Sequence, residues 1–159
     1  MAKLAGRRSP DWALFERFEV PNYDEPQATY MTRWRIVQTP WFGIYVHRFD
    51  GPDPRPTLHD HPWDFVSLVL RGGYWERVPA TTDPAVVRLN VFSACAINRK
   101  RAEDVHWITK LLRFPTWTLV FVGRRRREWG YLDRDGKWTR YDQHPHNAEF
   151  LRAMEARNR

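Results

Sequence analysis

With 159 residues, 42% of them hydrophobic, the chain holds enough apolar material for one compact domain and too little for two. Aromatic residues make up 15%, nine of them tryptophan, and twelve prolines outnumber eight glycines, which argues for a β-rich, turn-rich fold and against a bundle of Ala/Leu helices. A net charge of +7 favours acidic partners such as nucleic acid or phosphorylated metabolites, the single cysteine excludes an internal disulfide, and no apolar run approaches the roughly 18 residues of a membrane span.

In chain order, the opening MAKLAGRRSPDWALFERF lacks an apolar segment of signal-peptide length, so a soluble cytoplasmic protein is expected. Ser9 and Pro10 read as an N-cap and first helical residue, and Trp12, Phe15 and Phe18 have the spacing of a short amphipathic helix that ends before Pro21. Residues 1–28 are therefore a lead-in of helix and loop. From Thr29 the pattern turns to strands, first TYMTRWRIVQT and then WFGIYVHRF, where Phe42, Ile44, Val46 and Arg48 alternate with Gly43, Tyr45, His47 and Phe49. The proline-rich DGPDPRP, residues 50–56, reads as an exposed connection.

Beyond LHDHPWDFVSLVL, the Gly72-Gly73 pair predicts a hairpin turn. YWERV, AVVRLNVF, VHWITKLL and TWTLVFVG come next as strands, separated by a loop at 79–84 and the basic loop NRKRAED, and EWGYLDRDGKWTRY closes the series as a hairpin around Asp135-Gly136. About eight or nine short strands in one domain imply a barrel or sandwich over residues 29–141. The tail, 142–159, includes a polar helical pattern from Asn147.

Chemistry concentrates in the histidines. On an extended strand, side chains at i and i+2 leave one face, so His59 and His61 point together while Asp60 points away, and Pro62 holds His61 out of the helical region. Two imidazoles so placed can grip one ion at about 2.0–2.1 Å, and His106, in a strand-like segment after a loop, is the natural third donor. His47, one strand earlier, can line the same cavity, whereas His144 and His146 repeat the spacing in what reads as a solvated loop. Glu76 alternates in phase with Tyr74 and Val78; facing inward it is a candidate catalytic acid or base, or a group that holds an imidazole tautomer. Tyr45, Trp63, Trp75, Trp107 and Trp117 are candidates for cavity walls, with core packing the commoner role, and Cys95 reads as a small buried hydrophobe.

His59-x-His61, the apolar strand after it and Gly72 resemble the first conserved motif of the cupins, and His106 resembles the histidine of the second. In that pattern a glycine precedes the pair and a glutamate comes four or five residues after it. Here Gly51 stands farther upstream, Phe65 or Val66 occupies the glutamate position with Asp64 one residue before, and Arg101 and Glu103 stand where the second motif has proline and glycine. The resemblance implies His59, His61 and His106 as metal ligands, with Asp64 replacing the glutamate or with no fourth ligand, as in some thiol-dioxygenase-like cupins. TRWRIVQTPWFGIYVHRF, HDHPWDFVSLVLRGGYWE, TWTLVFVG and REWGY are also similar to uncharacterised cupin-like proteins of actinobacteria and their phages, across most of residues 29–141. The likeness implies an all-β, double-stranded β-helix barrel with short terminal helices and a metal site, and dimerisation through edge strands is common among such barrels.

A three-histidine site leaves coordination positions open, as metal catalysis requires, and all-imidazole ligation suits Fe(II), with Zn, Ni, Mn or Cu as alternatives. The expectation is a metal-dependent enzyme acting on a small molecule, oxygenation first and isomerisation or hydrolysis second. Competing with it is a non-catalytic barrel that binds nucleic acid or another anionic ligand through Arg99-Lys100-Arg101 and Arg124 to Arg127, of which Arg126 or Arg127 is also a candidate for steering an anionic substrate.

Overall fold

The computed structural model describes residues 12–22, 28–54, 56–145 and 147. Twelve strands run through them: β1 (Ala13–Pro21), β2 (Thr29–Gln38), β3 (Gly43–Phe49), β4 (Leu58–His59), β5 (Phe65–Arg71), β6 (Gly73–Pro79), β7 (Val87–Ser93), β8 (Ile97–Lys100), β9 (Trp107–Leu111), β10 (Thr116–Val122), β11 (Gly130–Leu132) and β12 (Trp138–Arg140). Among the described residues no helix is long and apolar enough to cross a membrane.

A large antiparallel sheet in the order β1-β2-β3-β10-β5-β8 forms one layer, and β7-β6-β9 and β12-β11-β4 form the other. Reciprocal backbone bonds between His59 and His106, both 3.0 Å, join the two smaller sheets. The expected all-β barrel is observed. Its packed core joins Val20, Met31, Phe49 and Val69 of the large sheet to Tyr74, Ile108 and Leu111 of the other, as the period-two burial of β3 and β10 requires. Burying this apolar face is what holds the two layers together.

Two local expectations give way. The segment read as an amino-terminal helix is a strand over Ala13–Pro21, paired with β2 along its length. Phe15 and Phe18 have helical spacing, yet the inward side chains are Phe18 and the buried Val20, with Arg17 and Glu19 outward. Pairing with a long neighbouring strand outweighs weak helical propensity. Ser9 and Pro10, and the tail helix beyond Asn147, lie outside the described residues.

Nor is Gly72-Gly73 a hairpin turn, since β5 pairs with β10 and β8 whereas β6 pairs with β7 and β9. The two glycines, at φ +82° and +137°, carry the chain from one layer to the other. A Cβ on Gly72 would stand 2.5 Å from Thr116 Oγ1, and one on Gly73 2.3 Å from the Phe92 carbonyl, so only glycine fits there. By contrast, the hairpin at Asp135-Gly136 is observed, with β11 and β12 paired and Gly136 at φ +80°.

Candidate functional site

The segment from Leu58 to Pro62 is held extended from both sides. His59 and His61 donate their N–H groups to the carbonyls of His106 and Ala102, while Asp60 N–H donates to Gly130 on β11. Alternating neighbours enforce alternating side chains, so the imidazoles face the interior and the Asp60 carboxylate faces the other way. There Asp60, 1% exposed, accepts from Gly130 N at 2.6 Å and Trp138 Nε1 at 2.9 Å and pairs with Arg127 at 3.1 Å. The acid between the histidines anchors them from behind.

His106, immediately before β9, completes the cluster. One ring nitrogen from each of His59, His61 and His106 lies within 4.8 Å of the others, and Nε2 of His61 and Nε2 of His106 are 2.8 Å apart. Ring centroids are separated by 4.8 Å for His59 and His106 and by 5.0 Å for His61 and His106. Such spacing allows all three to close onto one ion with bonds of about 2.0–2.1 Å. Two of the donors are held neutral, as ligation demands: burial, reinforced by His106, pushes His59 down to about 3, and burial with its histidine and arginine neighbours lowers His61.

Behind His106 stands Glu76, fully buried. Its Oε1 accepts from His106 Nδ1 at 2.6 Å and from Asn98 Nδ2 at 3.0 Å, and its Oε2 pairs with Lys100 Nζ at 2.7 Å. Burial pushes this carboxyl up, but the bonds from His106 and Lys100 outweigh it and hold the group at about 2. An ionised Glu76 keeps the proton of His106 on Nδ1 and leaves Nε2 facing the cluster. Of the two roles open to Glu76 from sequence, this geometry matches the holding of a tautomer; both oxygens are engaged, and the residue is not on the cavity wall.

The cluster opens into a cavity of about 90 Å³ between the layers. His47, Tyr45 and Trp63 line it as expected from sequence, and Phe65 sets its ring edge-on against His61 at 4.8 Å. Trp107 instead lies under Arg77, and Trp117 stacks on Trp34 at 5.5 Å. Two charged wall residues were not among the sequence candidates: Arg33, whose Nε donates to His47 Nε2 at 2.7 Å, and Asp53, which accepts from Ile108 N at 2.7 Å. Burial raises Asp53 to about 6, with His106 and the Ile108 N–H opposing the shift. The loop read as an exposed connection thus delivers a carboxylate inward. For Arg33 a signal existed, since it stands in phase with the buried Met31 on β2.

Other sequence candidates fall elsewhere. Asp64 is not in the cluster: both oxygens of its half-exposed carboxylate accept from Arg126 Nη1 at 2.8 Å, and Oδ1 also accepts from Ala102 N at 2.7 Å. At three residues from His61 on a chain that has left the strand, its side chain turns to the surface. Arg125 pairs with Glu128, and Arg127 reaches Asp60 and lies over Trp138, so neither Arg126 nor Arg127 addresses the cavity and most of the arginine run is occupied in holding the fold. His144 is buried against Tyr131 rather than solvated, Cys95 is exposed in the turn after β7 at φ +67°, and His146 lies outside the described residues.

No family model matches the chain, and no curated protein matches it. Among solved structures it is similar to a "putative mannose-6-phosphate isomerase" from Ralstonia eutropha JMP134, with a TM-score of 0.51 and 16% identity over 59% of this chain and 84% of that one. An RmlC-like cupin from Shewanella frigidimarina NCIMB 400 aligns with a TM-score of 0.46 and 15% identity, covering 62% of this chain and 79% of that one. For hydroxypropylphosphonic acid epoxidase from S. wedmorenis the values are 0.48 and 16%, over 68% and 55%. At such identities the likeness is one of fold.

Proposed function

We propose that this chain, a cupin-fold barrel, binds one divalent metal ion through His59, His61 and His106 and acts with it on a small molecule, oxygenation being the first choice of reaction and isomerisation or hydrolysis the second. The observation that carries the reading is the meeting of His61 and His106, 45 positions apart in the chain, with their Nε2 atoms 2.8 Å from each other on the wall of a cavity. Fe(II) suits the all-nitrogen donor set, as do Zn, Ni, Mn or Cu.

Bound there, the ion would supply Lewis acidity and open coordination positions, the feature that separates a catalytic site from a closed structural one. The chain's own residues supply the rest. Glu76 orients His106, Tyr45, Trp63 and Phe65 keep bulk water from the small cavity, and Asp53, the carboxylate among the described wall residues, is placed to hold or give up a proton.

Elemental analysis of tag-free protein tests the reading. One ion per chain is expected in the wild type and less than about a tenth of that in His59→Ala/His61→Ala, with the fold checked by circular dichroism. Equal metal content in the two proteins would overturn it.

A further inference from the structure

The wall of the cavity supplied by the large sheet holds a positive charge that makes no ion pair among the described residues. Arg33 on β2, His47 on β3 and Thr118 on β10 are cross-strand neighbours in register, Arg33 opposite His47 and His47 opposite Thr118, and all three line the cavity. The Arg33 guanidinium donates Nε–H to neutral His47 and lies over the rings of Phe18 and Tyr45, each at 5.4 Å. These partners are uncharged. Among the described residues Arg33 makes no ion pair, whereas Arg35, two residues along the same strand, pairs with Glu16 at 2.8 Å.

A guanidinium stays protonated inside a protein, so an uncompensated buried one is retained at a cost in stability that an incoming anion would remove. Thr118 adds a second, independent sign. It is 1% exposed, and its hydroxyl has no hydrogen-bond partner, an uncommon condition for a buried polar group. A charge without its counter-ion and a hydroxyl without its partner thus share the wall of one cavity, which the imidazole cluster also lines.

We propose that Arg33 and Thr118 form an oxyanion-binding subsite, so that the small molecule taken into this cavity carries a compact carboxylate or phosphate group, held by the guanidinium fork and the Thr118 hydroxyl. The remainder of that molecule then lies toward His59, His61 and His106. This assignment deepens the reading of the cavity as a small-molecule site, but the subsite does not need the metal in order to bind.

Metal-stripped wild-type protein is titrated with malonate, acetate and inorganic phosphate, and binding is read by calorimetry and by thermal unfolding. Saturable binding with a rise in melting temperature is expected for at least one of the three, and which of them binds distinguishes carboxylate from phosphate. Arg33→Met should bind it at least about tenfold more weakly, and Thr118→Val about twofold to tenfold more weakly. Without anion, Arg33→Met should melt no lower than wild type, which an arginine serving only the fold would not allow. If Arg33→Met does not fold, Arg33→Lys keeps the charge, loses the fork and should still weaken binding.

The proposal is overturned if no anion saturates the wild type, if the Arg33 variant that folds binds as tightly as wild type, or if Arg33→Met folds but melts lower than wild type without anion. Metal content is measured on the same samples. Anion binding that depends on Arg33 in a protein that takes up no metal supports the subsite and refutes the metal-dependent reading; a protein that loads metal but ignores all three anions does the reverse.

Discussion

The two walls of the cavity treat charge in opposite ways. Behind the imidazoles, the buried carboxylates of Glu76 and Asp60 have their partners: Glu76 sits between His106, Lys100 and Asn98, and Asp60 takes Arg127, Trp138 and a backbone N–H. On the facing wall, Arg33 makes no ion pair among the described residues, and its contacts with His47, Phe18 and Tyr45 are to uncharged groups. Paired charges fix geometry, so the first wall presents three ring nitrogens in set positions. Arg33 orients His47 through its Nε–H, and its charge stays available to attract an anion.

The paired wall breaks most severely from behind. Asp60→Ala should remove the acceptor of two N–H groups and the partner of a guanidinium, costing about 3 kcal/mol in chemical denaturation; a loss under about 1 kcal/mol would mean that the His-x-His segment is held by its backbone bonds alone. Next, Glu76→Gln should keep the shape but lose the charge that opposes Lys100 and fixes the His106 tautomer. Metal affinity, read by competition with a chelator, should fall about 10- to 100-fold.

Acid should sharpen the contrast. His59 has a folded pKa of about 3 against an ordinary value of 6.5, so between those limits the unfolded chain binds more protons and the metal-free protein loses stability as pH falls. Glu76, held at about 2 against an ordinary value of 4.5, adds its own loss lower down. Asp53 runs the other way: raised to about 6 from 3.8, it takes up its proton first in the folded state and gains stability as pH falls through that range. The smallest expected effect is therefore a steeper acid-side loss in Asp53→Asn, seen as the midpoint of unfolding against pH; a shallower curve would show that Asp53 does not titrate where its burial places it.

Much of the barrel is legible without any coordinates. Period-two alternation in WFGIYVHRF marks the inward row Gly43, Tyr45, His47 and Phe49, and the phase of YWERV puts Glu76 inside with Tyr74 and Val78. Where i, i+3 aromatics mask the alternation, at Phe15 and Phe18, the helical expectation fails, because the pairing partner that decides between helix and strand lies elsewhere in the chain. Gly72-Gly73 shows the same limit. Two glycines announce a sharp change of direction, but whether the next strand returns beside the last or crosses to another layer depends on which edges are free to pair.

For the site, the sequence by itself determined that His59 and His61 share a face with Asp60 opposed, since backbone geometry over three residues needs no tertiary context. It also marked His106 by residue type and strand setting. Only the tertiary structure decided that His106 arrives within ligand distance, that Asp64 turns outward to Arg126, that Glu76 meets Lys100, and that Arg33 and Thr118 share a wall with the cluster. The physical reason is range: strand periodicity acts between neighbours in the chain, whereas charge pairing and burial act between neighbours in space, and the fold alone says which those are.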